Sequence, residues 1–395
     1  MAALGVAAER FRTRGQGAAV EAVAAMLAGG MHHAILLVGP PGVGKGTLAE
    51  DIAAALLCRA DDLSIRPCRE CRACRALEHG NHPDVHRLAP TGAGLVIPIG
   101  GRDERGVRDL VRDLALLPVE GGARVAIIAA ADRMTDDAQT AFLKTLEEPP
   151  AGTVLLLTAA DEERLLPTIR SRCVRIRLGP VARPDIEQIL LAAGLVDAPL
   201  AARLARVSAG RPGDAVSLAR VPESLTIRGE VGRTLLDLAG ATRADRLRIG
   251  RDLLARAGEL AMAVRRAAES SAVGSSGVGP TAKPTRGRKA ATPLPTDPDA
   301  PAAVARIPAA ERRAAALTLV SIWRDVARDI ALVALGETAS VRQQDLLDDL
   351  EAAAGRLSAG FAAAQLRRLD TAGERLEGNV SPELVVDALA IGWAA

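Results

Sequence analysis

Aromatic side chains are almost absent from this chain. Three Phe, two Trp and no Tyr amount to 1% of 395 residues. Cores must therefore be built from Ala, Leu, Val and Ile, and stacking platforms for exposed bases are excluded as a main binding mode. A strong charge of one sign is missing too. Lys and Arg number 50 against 48 Asp and Glu, a formal net charge of +2, which by itself argues for no nucleic-acid partner. Apolar runs are short or broken by charge, so no membrane span is expected. The N-terminal stretch carries Glu9, Arg10, Arg12 and Arg14 without the apolar run of a secretory signal. A cytoplasmic protein is expected, ordinary in its 49% hydrophobic and 25% charged content and long enough for two or three domains.

Cysteine is scarce as well, but four of the five are gathered at Cys58, Cys68, Cys71 and Cys74 in a Cys-x9-Cys-x2-Cys-x2-Cys pattern. Four thiolates at such spacing close a tetrahedral site and read as structural zinc, Zn²⁺, with no open position for a catalytic water. A disulfide framework is disfavoured by the expected compartment and by the local clustering. Five histidines, His32, His33, His79, His82 and His86, include three near the cluster. With four thiols already filling the coordination sphere they are read as bystanders or supporting partners. Cys173, alone, is expected to behave as a small buried hydrophobe.

The first part of the chain alternates strands and helices. Ala34 to Val38 is a compact apolar run leading into a glycine loop, followed by a helix from Thr47 to Leu57. Further strands are expected at 84–88, 124–129, 153–158 and 174–178, with helices near 107–114 and 135–147 and a loop or hairpin over 91–101. That order predicts an open parallel α/β sheet with ligands at the carboxyl ends of its strands. Beyond Pro180 short helices are expected at 186–193, 200–209 and 214–220, then helices only, at 229–239, 242–269, 309–335, 340–355, 358–376 and 384–391. The Gly-, Ser-, Pro- and Thr-rich stretch 271–300 is expected to be a disordered insertion.

Gly39-Pro40-Pro41-Gly42-Val43-Gly44-Lys45 sits between strand and helix, where Gly39, Gly42 and Gly44 let backbone N–H groups face a phosphate and Lys45 adds a charge. The hydroxyl that should follow the lysine to hold Mg²⁺ is replaced by Gly46. Thr47 comes one residue late, a rotation of about 100° around the helix. The strand at 124–128 runs into Ala129, Ala130 and Ala131 rather than acids, and Asp132 is expected to begin the following turn. Without a hydroxyl ligand or an acid, Mg²⁺ binding and hydrolysis are not expected, although ATP or ADP could still be held by the loop.

Read in order, His33-Ala34, the phosphate loop, the four-cysteine insertion, the block Leu143-Lys144-Thr145-Leu146-Glu147-Glu148-Pro149-Pro150 and the run Leu166 to Cys173 resemble the clamp-loader branch of the AAA+ proteins. The match is strong from residue 32 to about 220 and only positional beyond. The resemblance implies an AAA+ parallel-sheet domain over 1–180 with its zinc module at 58–74, a small helical lid over 181–225, and an all-helical collar over 226–395. In hydrolysing motor subunits of this family, Asp-Glu stands where this chain has Ala129 and Ala130, and a lid arginine where it has Gly213. Thr158 keeps the polar sensor position, and Arg172 keeps the arginine that a subunit offers to its neighbour's ATP. The resemblance therefore implies a non-hydrolysing stator in a heteropentamer with tau/gamma motor subunits and a delta subunit, acting through the complex on a sliding clamp and primed DNA. Two rivals are a tau/gamma-like ATPase using Thr47 and Asp132, and a zinc-stabilised AAA+-like scaffold outside replication. Glu147 and Glu148 are read as structural, Arg170 as a solvated or pairing residue, and Lys144, Arg108 and Arg112 as a weak candidate surface toward DNA.

Overall fold

A computed structural model describes residues 9–91, 94–101, 104–120, 122–275, 308–357, 359–378 and 380–393. Its first half is a five-stranded, wholly parallel sheet of order β2-β3-β4-β1-β5, with β1 at Ala34–Val38, β2 at Val85–Leu88, β3 at Arg124–Ile128, β4 at Thr153–Ala159 and β5 at Val174–Arg177. All residues of β1, β3 and β4 are buried, which is why these strands read as unbroken apolar runs rather than alternating ones. β1 pairs with β4 on one side, Leu37 opposite Thr158, and with β5 on the other, Leu37 opposite Ile176. Strand order reverses beside β1, so the loop that follows it opens at the switch point where α/β sheets bind ligands.

Helices cover both faces. One face packs α1 (Gly17–Gly29) and α2 (Lys45–Leu57) over Ile35, Leu37, Val125 and Leu156. The other packs α4 (Val107–Leu114) and α5 (Asp136–Glu147) over Leu36, Ala126, Ile128 and Leu155. Between α2 and β2 lies the cysteine insertion with its own short helix α3 (Arg72–Glu78). A last turn, α6 (Pro167–Arg170), precedes β5.

After β5 the chain is helical among the described residues. α7 (Arg183–Ala192), α8 (Ala198–Val207) and α9 (Pro212–Ala219) form a small unit. α10 (Ser224–Leu238), α11 (Arg243–Ser275), α12 (Ala309–Ala334), α13 (Leu347–Ala354), α14 (Ala359–Glu377) and α15 (Pro382–Gly392) follow. One continuous core joins both groups, running from Val181 and Ile186 through Leu235 and Trp323 to Trp393. Trp323 and Trp393 meet edge to face with centroids 5.4 Å apart, and the Trp393 indole N–H donates to the Leu235 carbonyl at 3.0 Å.

Three local expectations change. α11 continues to Ser275, so residues 271–275 are helical rather than the start of a disordered stretch; 276–300 lies outside the described residues. The helix expected over 340–355 is two short 3₁₀ turns, Thr338–Ser340 and Gln344–Leu346, followed by α13. The buried Asp329 carboxylate accepts from the Arg342 and Gln343 N–H groups at 3.0 Å each, taking donors that a continuous helix would use internally. Helix α1 was not expected from the sequence. Its N-cap position is Gln16, which makes no side-chain cap hydrogen bond.

Candidate functional site

A cleft of about 520 Å³ opens at the carboxyl end of the sheet, lined by Gly42, Val43, Gly44, Lys45, Gly46, Thr47, Ala129 and Thr158 together with Ile189, Pro212, Gly213 and Val216 from the small helical unit. Five of the six residues expected at a nucleotide site thus share one wall. Gly39 does not. It packs under the loop, where a Cβ would come within 2.2 Å of the Leu178 carbonyl, and its N–H donates to the Ala159 carbonyl at 3.1 Å. Arg12, Thr13 and Arg14 also line the cleft, a contribution that basic residues in an N-terminal stretch do not advertise.

The loop bends through positive φ at Gly42 (79°) and Gly44 (104°), the latter capping α2. Lys45 folds back onto it, its Nζ donating to the carbonyls of Gly39 at 2.5 Å and Pro40 at 2.7 Å. Burial holds the ammonium below the usual lysine range, partly offset by the Asp132 carboxylate. Asp132 itself belongs to the 3₁₀ turn Ala131–Arg133, as expected, and one of its oxygens accepts from the N–H groups of Ala160 and Asp161 at 3.1 Å each. Thr158 is buried, and its hydroxyl oxygen accepts from the Ala130 N–H at 2.9 Å while keeping its own proton to donate. Thr47 is exposed on the cleft wall. Its late position does not remove it from the cleft. What the wall lacks is a hydroxyl at Gly46 and a carboxylate at Ala129.

The small helical unit closes directly on the loop. The Gly213 N–H donates to the Gly42 carbonyl at 2.9 Å. A Cβ on Gly213 would lie 3.2 Å from both the Gly42 Cα and its carbonyl oxygen. Behind the loop, the Gln16 amide donates to the carbonyls of Val43 at 3.2 Å and Gly179 at 2.7 Å.

The four insertion cysteines converge, with every Sγ within 4.8 Å of the others and Cys68 and Cys74 at 4.0 Å. A tetrahedral ion with Zn–S bonds of about 2.3 Å needs S–S separations of roughly 3.8 Å, so the set fits. Backbone N–H groups already point at the sulfurs: Cys68 to Cys58 at 3.3 Å, Cys71 to Cys68 at 3.3 Å, Cys74 to Cys71 at 3.4 Å. Burial opposes the Cys68 thiolate, but N–H donors from Glu70 and Cys71 and the thiols of Cys58 and Cys71 outweigh it and bring it to about 6. Burial pushes Cys58 and Cys74 up. Four thiolates at this distance repel one another, so a bound cation is what would let all four ionise. No histidine belongs to the cluster among the described residues. His82 is buried nearby, where its Nδ1 accepts from the Asp84 N–H at 3.1 Å.

Arg172 follows α6 on the surface, 37% exposed, with its guanidinium 2.6 Å from the Glu147 carboxylate and donating to the Thr168 carbonyl at 3.0 Å. Arg170 pairs with Glu163 at 2.6 Å, the second of its two expected roles. Cys173 is buried, its thiol pushed up to about 12 by desolvation. Lys144, Arg108 and Arg112 are exposed on α4 and α5, which pack together, and Arg112 spends part of its charge on Asp109 at 3.3 Å. No described helix is long and apolar enough to cross a membrane.

Residues 15–182 match the family described as DNA polymerase III, delta subunit. The delta-prime subunit of Pseudomonas aeruginosa DNA polymerase III is 43% identical over 183 residues, covering 46% of this chain and 53% of that protein. That of Escherichia coli is 38% identical over 201 residues, 50% of this chain and 57% of that protein. The Escherichia coli tau subunit is 32% identical over 195 residues, 48% of this chain and 29% of that protein. The chain spans about half the length of the curated delta-prime relatives it matches.

Proposed function

We propose, from the match of residues 15–182 to the DNA polymerase III delta-subunit family and from the similarity to delta-prime subunits, that this chain is the non-hydrolysing delta-prime subunit of a DNA polymerase III clamp loader. The observation that carries the reading is the composition of the cleft wall. It keeps Lys45 and Thr158 but presents Gly46 and Ala129, with Ala130 next in the chain, where metal and water would need a hydroxyl and acids. A bound nucleotide would be gripped by the loop N–H groups and Lys45 without being hydrolysed. In this reading 1–180 is the AAA+ domain, 181–225 its lid and 226–395 the collar that joins tau/gamma and delta subunits, and the whole assembly acts on the sliding clamp and primed DNA.

Cys58, Cys68, Cys71 and Cys74 hold one structural Zn²⁺, supported by sulfur separations that suit a tetrahedron. When bound, the ion supplies cross-linking and no reaction chemistry. Arg172 serves the γ-phosphate on an adjacent motor subunit. Its pairing with Glu147 is exposed at both ends; such pairs contribute about 0–1 kcal/mol and yield readily to a more highly charged phosphate.

Reconstitution with tau/gamma and delta subunits tests the reading. The isolated chain should show no single-turnover hydrolysis, and Arg172→Ala should leave assembly intact while lowering DNA-stimulated ATPase of the complex. Hydrolysis by the isolated chain that disappears in Lys45→Ala would instead establish the tau/gamma-like alternative. Failure to associate with either partner would favour a scaffold outside replication.

A further inference from the structure

Away from the cleft and the cysteine cluster, a small cavity of about 80 Å³ lies where α8, α10 and the turn before α13 meet, lined by Arg203, Arg206, Arg228, Arg342, Gln343 and Asp345 among others. Four guanidinium groups therefore face one junction. Arg203 pairs with Asp345. Arg228 and Arg342 share the Asp325 carboxylate at 2.6 Å and 2.5 Å. Arg206 has no ion-pair partner among the described residues. Asp345 is the one acid in the lining, and with Asp325 and the buried Asp329 behind it three carboxylates stand against four guanidiniums, which leaves the junction net positive.

Hydrogen bonding is incomplete in the same direction. The Nε atoms of Arg206 and Arg228 and the Nε2 of Gln343 are buried without a partner, and Arg228 and Gln343 are 8% and 7% exposed as whole residues. An arginine Nε can only donate, and buried donors left unpaired are rare because nothing replaces the water they lost. What these atoms need is an acceptor. A water molecule has two lone pairs and no charge, so it would serve the donors in part and leave the positive excess standing. A tetrahedral oxyanion can accept from the guanidinium groups that line the cavity and neutralise that excess, with arginine forks the usual geometry for such recognition. The space suits a few waters or one such anion and is too small for a nucleoside.

We propose that this cavity binds a small oxyanion of the phosphate class, which fastens α8 to α10 and to the turn carrying Arg342 and Gln343. The anion comes either free from solution or as the terminal phosphate of a larger molecule reaching in from the surface.

Calorimetric titration of the full chain with inorganic phosphate, at constant ionic strength against chloride, tests this. One saturable site is expected. It should persist in Lys45→Ala and weaken about tenfold or more in Arg206→Gln, the loss expected for one charge-assisted hydrogen bond. Arg203→Gln, at an exposed position, gives a second variant that does not threaten folding, with a smaller weakening. Displacement of the bound phosphate by tripolyphosphate would identify a terminal phosphate as an acceptable source, and absence of displacement a free anion. No saturable binding overturns the proposal. So does binding lost in Lys45→Ala but kept in Arg206→Gln, which would put the anion in the phosphate loop.

Discussion

Two residues carry the proposed division of labour, Gly213 at the cleft and Arg172 away from it. Gly213 lines the cleft, its backbone N–H is spent on the Gly42 carbonyl and its missing Cβ lets α9 lie on the loop. Gly213→Arg should therefore not restore hydrolysis. It should force the loop and α9 apart at a cost of about 1–3 kcal/mol, read as a lower melting temperature with no single-turnover ATP cleavage. Arg172 is the opposite case, an exposed group with a disposable partner. Arg172→Ala should lower clamp-loader ATPase at the site it serves by up to the order of 10³ to 10⁵ seen for arginine fingers, muted in a bulk assay by the remaining motor sites. Arg172→Lys should rescue poorly because an ammonium lacks the planar fork. Glu147→Gln, which only frees the guanidinium, should keep the activity of the wild-type complex. Loss in Glu147→Gln equal to that in Arg172→Ala would mean that the pair itself matters and that no finger is offered. The sequence placed Arg172 in a turn but could not show that Glu147, on a different helix, holds it; that pairing exists only once α5 and α6 are packed.

At the scale of elements, strands were the most legible part. β1, β3 and β4 are buried on both faces, so their sequences are apolar without alternation and their ends fall at turn residues. Elements without such a pattern were not. Helix α1 is rich in Ala with weak sidedness and no capping side chain. Helix α3 hides inside the cysteine pattern, its N-cap supplied by the Cys71 sulfur accepting from the Cys74 N–H at 3.4 Å. The same residue thus caps a helix and belongs to the cysteine cluster, and only the cysteine spacing is visible in a string of letters. The module is also tied to the sheet domain through charge. Asp51 on α2 is fully buried, accepts from the N–H groups of Arg12 at 3.1 Å and Thr13 at 2.9 Å, and pairs with Arg69 from the module. Removal of metal should loosen Arg69 and leave that carboxylate short of its counter-charge. Protein prepared without added zinc should carry about one equivalent, and strong chelators should lower the stability of the α/β unit, because ligand binding energy is folding energy here. Four freely titrating thiols in a chelator-indifferent protein would rule the site out.

Across the whole molecule, apolar packing divides the chain into two bodies. The buried clusters of the sheet end at Leu178, and the cluster that begins at Val181 runs unbroken to Trp393. Among the described residues the contacts that join the bodies include the Gly213–Gly42 hydrogen bond, Arg133 and Arg164 on Glu377 at 2.9 and 3.2 Å, and Val181 close against Gly15, with the Gln16 amide on Gly179 in the connection between them. Glu377 ends α14, so this carboxylate pins the last part of the chain to the turn after β3 and to the segment before α6. Polar junctions of this kind hold an orientation without adding much stability. Two calorimetric transitions are therefore expected, with the chelator moving the one that belongs to the α/β unit and leaving the helical one in place. Glu377→Gln should shift neither transition by more than about 1 kcal/mol in stability. It should nevertheless widen the distribution of distances between probes on α5 and α14 measured by spin-label or fluorescence methods. A single transition that moves as a whole on chelation would show that the polar junction couples the two bodies as tightly as a shared core. In that event α14 could not reorient against the sheet, and Glu377→Gln would leave the probe distances as narrow as in the wild type.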